Sequence, residues 1–419
     1  MEERGEIFPP ISSITKEPGF LSKQEARRRV WLLCLIGFMD QFGVSMIITL
    51  MPKMVLSTGV SPFVAGLIGS LYGAVQVFSS PLMGKLSDTL GRKTLLLISY
   101  LGPSLGYLAL GLSPSILVII VSRIHNGIAK HGLSTSKAYL ADITTSKDHA
   151  STLGTFNAVS GLGFIIGPLL GGQMADADPT FRLNMFAGSL IYVLTFFLIL
   201  AFVPPLKSPS PIPAKPDPKV RSPKFTCSPS VLSGPKADPW IRNLIILRFL
   251  LTFSTLLFRE NFTIFVQQRF SISYTTLGTI LSFSGVVTTV AAATCGHVSW
   301  LYSSIPRHVL HATLLLATSI LMATLAPSPA LMTVCLVPMG VATAHLRICM
   351  LSLMLLKGQE DQRGEIIGLG DSVASVSRMV GPSIVGLLQE GGVATAGYAG
   401  SGLACAAAMV ITVMFRGSL

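Results

Sequence analysis

The chain has 419 residues, half of them hydrophobic and only 12% charged, where soluble domains carry roughly 25% charged residues. With a mean hydropathy of +0.64, this composition excludes an ordinary soluble globule and points to lipid as the solvent. The net charge of +12 invites a nucleic-acid partner, but roughly two-thirds of the lysines and arginines fall on one set of alternate loops and tails, the bias that orients membrane helices rather than a phosphate-binding face.

Residues 1–29 are polar, proline-interrupted and end in the basic run RRR, so they read as a cytoplasmic tail rather than a cleavable signal, and the first span is expected to stay in the protein. Apolar runs of about 20 residues, the length that crosses a hydrocarbon core, then recur about twelve times: 30–51, 62–83, 94–112, 115–137, 152–175, 183–204, 241–267, 274–299, 308–326, 329–355, 364–388 and 394–415. Between 205 and 240 proline, serine and lysine displace the apolar residues a core needs, which marks a linker. It separates a first six-span bundle, 30–204, from a second, 241–416. A shift that places Gly154 on Gly368 also places Gly167, Pro168 and Gly172 on Gly381, Pro382 and Gly386. The halves therefore read as parallel repeats. The fold expected is all-α, twelve transmembrane helices in two six-helix bundles, with both termini cytoplasmic.

Span one carries Asp40 and Gln41 near its middle. An ionisable group inside a bilayer costs several kcal/mol unless paired or wetted, so each is a functional candidate. Between spans two and three, Gly84, Asp88, Gly91, Arg92 and Lys93 form the pattern GxxxDxxGRK. As a cytoplasmic latch, Asp88 would face the positive end of a helix in the other half, worth about 0.3 to 2 kcal/mol. Gly84 would allow close approach, Gly91 a tight turn, and the two cations would surround the carboxylate. The competing reading is ordinary positive-inside charge. The matching loop of the second half, GHVSWLYSSIPRH, lacks the acid and the GRK.

Span four holds Arg123, Asn126 and Lys130. Arg123 is expected to set the proton affinity of Asp40; the alternative is a static ion pair. In span five Gly163, Gly167 and Gly171 recur every four residues beside Pro168, a ladder that lets a neighbouring helix approach; Gly381 and Pro382 are its counterparts. Span seven carries Arg259 and Glu260, about 100° apart on a helix, with Arg248 on the arginine's face. Function and scaffold are equally open for these. Span ten offers His345 and Arg347; a histidine switches charge near neutral pH, though a lone one is more often structural. Asp371 and Arg378 share a face of span eleven. Phe42, Tyr72, Gln76, Asn157 and Phe258 are candidates to line a mixed apolar and polar site. Asn261-Phe262-Thr263 is a glycosylation sequon inside span seven, beyond reach of the enzyme.

The GxxxDxxGRK loop resembles the signature of the major facilitator superfamily. Beside it, the glycine ladder, RIHNGIAKHG, YLADI and MDQFGVSMIITLMP resemble its drug/proton and tetracycline/proton antiporters, with Asn126 where that branch has glutamine. The runs GIAKHGLSTSKA, FGVSM and FNAVSGLGFIIGP are similar to an animal branch of orphan transporters. The resemblance implies docking of the latch on span eleven and a secondary transporter that works by alternating access. Its partners would be a small organic solute, protons and the bilayer, and it would act as a monomer in a plasma or internal membrane.

No HExxH, GxSxG with partners or Walker motif occurs, so enzymatic hydrolysis and ATP drive lack their residues. The six scattered cysteines have neither metal-ligand nor disulfide spacing. No cofactor or metal is expected. The rival to proton-coupled antiport is facilitated uniport, and the rival class is a non-transporting receptor or scaffold with a transporter-like fold.

Overall fold

The computed structural model describes residues 23–144, 148–206, 239–357 and 363–415. Among them lie fourteen α-helices: α1 (Lys23–Ile48), α2 (Met51–Leu56), α3 (Pro62–Leu90), α4 (Arg92–Leu112), α5 (Ile116–Ala129), α6 (Gly132–Ile143), α7 (His149–Ala177), α8 (Arg182–Phe202), α9 (Pro239–Phe270), α10 (Tyr274–Ser299), α11 (Ile305–Leu325), α12 (Pro329–Lys357), α13 (Arg363–Glu390) and α14 (Thr395–Met414). The sequence marks several starts. Ser115, Ser273 and Ser304 each accept a hydrogen bond from a backbone N–H in the first turn of the helix that follows, satisfying donors that a helix end leaves free.

Ten helical runs among the described residues are long and apolar enough to cross a membrane, two fewer than the sequence suggests. α1 and α2 count as one run, Gln24–Leu56. Span four is missing because it is broken into α5 and α6, of 14 and 12 residues. Span eleven, α13, has its side chains described only from residue 372, and that part carries Arg378 and Glu390. With these two restored, the architecture is an all-α, twelve-span fold of two six-helix bundles.

The packing separates two compact units. One takes the described residues of Met1–Met51 and Phe78–Ser208, the other those of Pro52–Val77 and Pro209–Leu419. In the first, α1 packs on α7 and α8, and α4 on α8 and α5. In the second, α9 packs on α13 and α14, and α11 on α14 and α12. Spans one, three, four, five and six are therefore paired as spans seven, nine, ten, eleven and twelve are, which is the repeat expressed as packing. The second unit also holds the first half of α3, where Ser383 donates its N–H (3.0 Å) and its hydroxyl (2.6 Å) to Ser70, and a Cβ on Gly73 would meet the Arg378 carbonyl at 2.9 Å.

The glycine ladder of α7 lies along α1. A Cβ on Gly163 would meet the Phe42 N at 2.7 Å, one on Gly171 the Met46 carbonyl at 2.6 Å, and one on Gly167 the Ser45 hydroxyl. Ser45 closes the seam by donating to the Gly163 carbonyl at 3.1 Å. Gly381, the repeat partner of Gly167, backs onto Leu256 of α9 in the same manner. Pro168 and Pro382 both sit inside their helices.

Candidate functional site

Asp40 is 2% exposed, deep in the first unit. Its carboxylate Oδ1 accepts a hydrogen bond from the Tyr192 hydroxyl of α8 at 3.0 Å, and that hydroxyl also lies 3.3 Å from the Asp40 carbonyl. Tyr192 is fully buried and packs against Tyr107 (5.5 Å) and Tyr100 (5.8 Å) of α4. The Lys130 ammonium lies 5.2 Å from the Tyr192 ring centre, a cation over an aromatic face. Lys130 is also the cation that acts most strongly on Asp40. Arg123, the other cation of span four, lies near Tyr107.

Lys130 reaches this place because span four breaks there. It is the C-terminal cap of α5, and His131 opens α6. A broken helix at membrane depth frees backbone groups that side chains must meet. Here the Ser79 hydroxyl donates to the Gly127 carbonyl at 2.7 Å and lies 3.0 Å from His131 Nε2, while Ser134 and Thr135 donate to the His131 carbonyl. Just past the break Gly132 lets α6 lie close on α4, since a Cβ there would strike the Tyr100 ring at 2.8 Å. Asn126 is buried, with its amide on the Ser122 hydroxyl at 3.4 Å. Gln41 is half-buried beside Asp40.

The GxxxDxxGRK residues form a second polar cluster within the same unit. Gly91 has φ of 88°, a conformation that favours glycine, and caps the start of α4. Arg92 bridges two acids, bonding Asp88 at 2.6 Å through Nη1 and Asp142, from YLADI, at 2.7 Å through Nε. Lys93 donates to the Leu200 carbonyl at the end of α8. The Asp88 side chain is 64% exposed. A Cβ on Gly84 would meet nothing within 4 Å, so among the described residues the close approach expected at this glycine is not made. The start of α13, the expected docking partner, is preceded by residues 358–362, and these, like the Asp371 side chain, lie outside the described residues.

In the second unit Arg259 and Glu260 are both exposed, and Arg248 is half-buried with Nη1 3.6 Å from the Met354 sulfur. Arg347 is exposed, and Arg378 turns to the Ser375 hydroxyl at 3.1 Å. Asn261, the sequon residue, is buried, its amide donating to the Val393 carbonyl and accepting from Gln389, each at 2.6 Å. His345 is buried and not alone: His308 of α11 lies 3.0 Å from it. Of the other candidates, Phe42, Tyr72 and Gln76 are half-buried, Asn157 is exposed and Phe258 is buried. The structure thus gathers Asp40 with Tyr192 and Lys130, and Arg92 with Asp88 and Asp142. Arg259, Glu260 and Arg347 belong to the second unit. Sequence reasoning missed Tyr192 and His308; the tyrosine stands in the apolar run SLIYVLTFF, and the histidine looks like the polar edge of a loop.

A family model described as Major Facilitator Superfamily matches residues 33–382. Tetracycline resistance protein, class B, of Escherichia coli is 30% identical over 169 residues, 40% of this chain and 42% of that protein. The chain thus spans less than half the length of this curated relative. Major facilitator superfamily domain-containing protein 10 of Bos taurus is 27% identical over 336 residues, 76% of this chain and 71% of that one. A crystal structure of the human organic anion transporter MFSD10 (TETRAN) superposes with a TM-score of 0.64 at 21% identity, covering 94% of this chain and all of that chain. These matches correct one reading of the sequence. GIAKHGLSTSKA, FGVSM and FNAVSGLGFIIGP resemble major facilitator superfamily domain-containing protein 9, whereas the animal relative supported by both sequence and fold is protein 10. The relatives are membrane transport and resistance proteins rather than enzymes. Since the family model spans most of a chain that also has the twelve-span, two-bundle architecture, this multi-pass membrane protein belongs to the Major Facilitator Superfamily.

Proposed function

We propose that the protein is a secondary transporter, moving a small organic solute across a bilayer by alternating access between the bundles 30–204 and 241–416, with proton exchange at Asp40 as the coupling step. The observation that carries the reading is a carboxylate 2% exposed in a transmembrane helix, held by one hydroxyl and faced by one lysine. Such a group is costly in lipid and is kept where charge is handled. Antiport is the mode implied by the resemblance of the glycine ladder and span one to drug/proton and tetracycline/proton antiporters; the relatives' names supply candidate solutes, a tetracycline in one and an organic anion in another. The charge distribution supports cytoplasmic termini and a cytoplasmic linker at 205–240, in a plasma or internal membrane, with a monomer as the working unit. The latch reading of Asp88 belongs to the same proposal; its carboxylate is exposed and ion-paired to Arg92.

The test is uptake into proteoliposomes under an imposed pH gradient, with tetracycline and a fluorescent organic anion as probes. Gradient-driven accumulation is expected of the wild type, and Asp40→Asn is expected to leave only equilibration. A pH dependence unchanged by Asp40→Asn would remove Asp40 from the coupling; equilibration alone in both would favour uniport, and no movement of either probe a receptor or scaffold.

A further inference from the structure

The second unit contains a buried polar cluster with no part in the proposal above. His308 of α11 and His345 of α12 are 2% and 4% exposed. Their rings stand edge to face, 5.0 Å apart, and Nε2 of His308 is 3.0 Å from Nδ1 of His345. The other nitrogen of His308, Nδ1, lies 3.2 Å from the Ser299 hydroxyl of α10 and 3.5 Å from the Cys349 thiol of α12. Tyr302, in the loop between α10 and α11, stacks flat on His308 at 4.2 Å. Nε2 of His345 is buried without a hydrogen bond of good geometry, and the Ala291 carbonyl is the backbone acceptor that acts on this ring. No group of ligating side chains among the described residues converges as a metal site.

We propose that His308 and His345 together form one proton-binding site, which takes up a single excess proton. Proton counting over the four ring nitrogens leads there. One proton must lie between the two rings to make the 3.0 Å bond. In the neutral pair one further proton remains for two outer nitrogens, so either His308 Nδ1 or His345 Nε2 is bare. A bare Nδ1 accepts from Ser299 or Cys349, whereas a bare, buried Nε2 has no donor. An excess proton fills the vacant outer nitrogen and leaves the central bond intact. Hydroxyl and thiol both donate and accept, so Ser299 and Cys349 serve either state by rotating a hydrogen. A second excess proton would set two N–H groups nose to nose between rings both positively charged, and the central bond would break.

The surroundings contain few competing charges. From α10 come Cys295, beside Ser299, and the exposed His297; from α11 the exposed His311, edge-on to Tyr302, and Arg307, bonded to Ser303; from α12 Cys349 and the exposed Arg347. α9 contributes Arg248, at Met354. α14 has only Tyr398 and Cys405, both exposed, and α13, among described side chains, has Arg378, bonded to Ser375, and the exposed Glu390. Ser299, Cys349, Tyr302 and the Ala291 carbonyl are thus the polar groups nearest the pair, with His311 the nearest further titratable group to His308.

The proposal does not depend on Asp40, and its test needs no transport substrate. Full-length protein with ring-labelled histidine, in lipid nanodiscs, is titrated by nitrogen NMR between about pH 5 and 8, where histidine changes charge, with His308→Gln and His345→Gln to assign the signals. Expected are a through-bond coupling between one Nε2 and one Nδ1, a common midpoint for both rings, uptake of one proton, and a midpoint displaced by about one pH unit or more in either variant, as for strongly coupled sites. Two independent midpoints, each indifferent to loss of the partner, would overturn it, as would two rings that take no proton in that range. Should the variants fail to fold, the wild-type coupling and its common titration decide alone.

Discussion

At Asp40 the arithmetic of a buried charge separates folding from coupling. Tyr192→Phe keeps the ring among Tyr100 and Tyr107 but strips the donor from Asp40 Oδ1; an unsatisfied buried group costs about 1–3 kcal/mol, more when charged. A lowered melting temperature in detergent is therefore expected. Lys130→Met is expected to lower it as well, because it removes the cation whose field reaches the buried acid, and an ionisable group inside a bilayer is costly unless compensated. Adding Asp40→Asn to Lys130→Met should recover much of that loss, since the uncompensated charge goes with it. A double variant no more stable than Lys130→Met alone would mean that Lys130 serves some other partner. Asp40 and Lys130 were legible in the sequence because charges stand out in apolar runs. Tyr192 was not, being 152 residues from Asp40 and of a residue type that membrane helices also use for packing. His345 was legible as a titratable group but not as half of a pair, because its partner lies on another helix.

Two helices show where local sequence governs an element and where tertiary contacts do. The α7 ladder was legible from spacing alone, and it predicts a contrast. Gly167→Ala would drive a methyl into Ser45 and toward the Phe42 carbonyl, 2.8 Å away, an overpacking that costs typically about 1–3 kcal/mol. Gly84→Ala, where a Cβ meets nothing within 4 Å, is expected to leave the melting temperature unchanged. Span four was misread as continuous: AKHG has no proline, and the break rests on Ser79, contributed by a helix about 50 residues earlier. The turn before α8 is local again. Asp178 accepts from the Thr180 hydroxyl (2.5 Å) and N–H (3.0 Å) and from the Leu183 N–H (2.8 Å), and these donors, the Thr180 hydroxyl first, hold its carboxyl below the usual carboxylate range. A carboxyl depressed in the folded state stabilises above its unfolded value, about 3.9, and loses that effect as pH falls through the folded one. The Leu183 amide resonance should thus hold steady between about pH 5 and 8 and move only below about pH 4.

Over the whole molecule, the repeat was legible in four glycine and proline positions, and the paired packing of spans one, five and six and of seven, eleven and twelve gives it physical form. The division of α3 between the two units was not legible, because a continuous helix carries no mark of which neighbours its halves will choose. Orientation rests on charge alone: lysines and arginines crowd the tails, the linker and the alternate loops, and that bias sets which side they occupy. The cysteines offer a direct check. Cys34, Cys295, Cys335 and Cys349 are buried, and Cys405 lies within α14, where lipid would shield it from a polar reagent. Cys227, in the linker, is outside the described residues. In intact cells carrying the protein at the plasma membrane, a membrane-impermeant maleimide should leave Cys227 unmodified and label it once the membrane is permeabilised. Cys227→Ser should abolish that labelling. Modification of Cys227 in intact cells would turn the linker outward, and with it the loop that carries Asp88 and Arg92, because an even number of crossings separates the two.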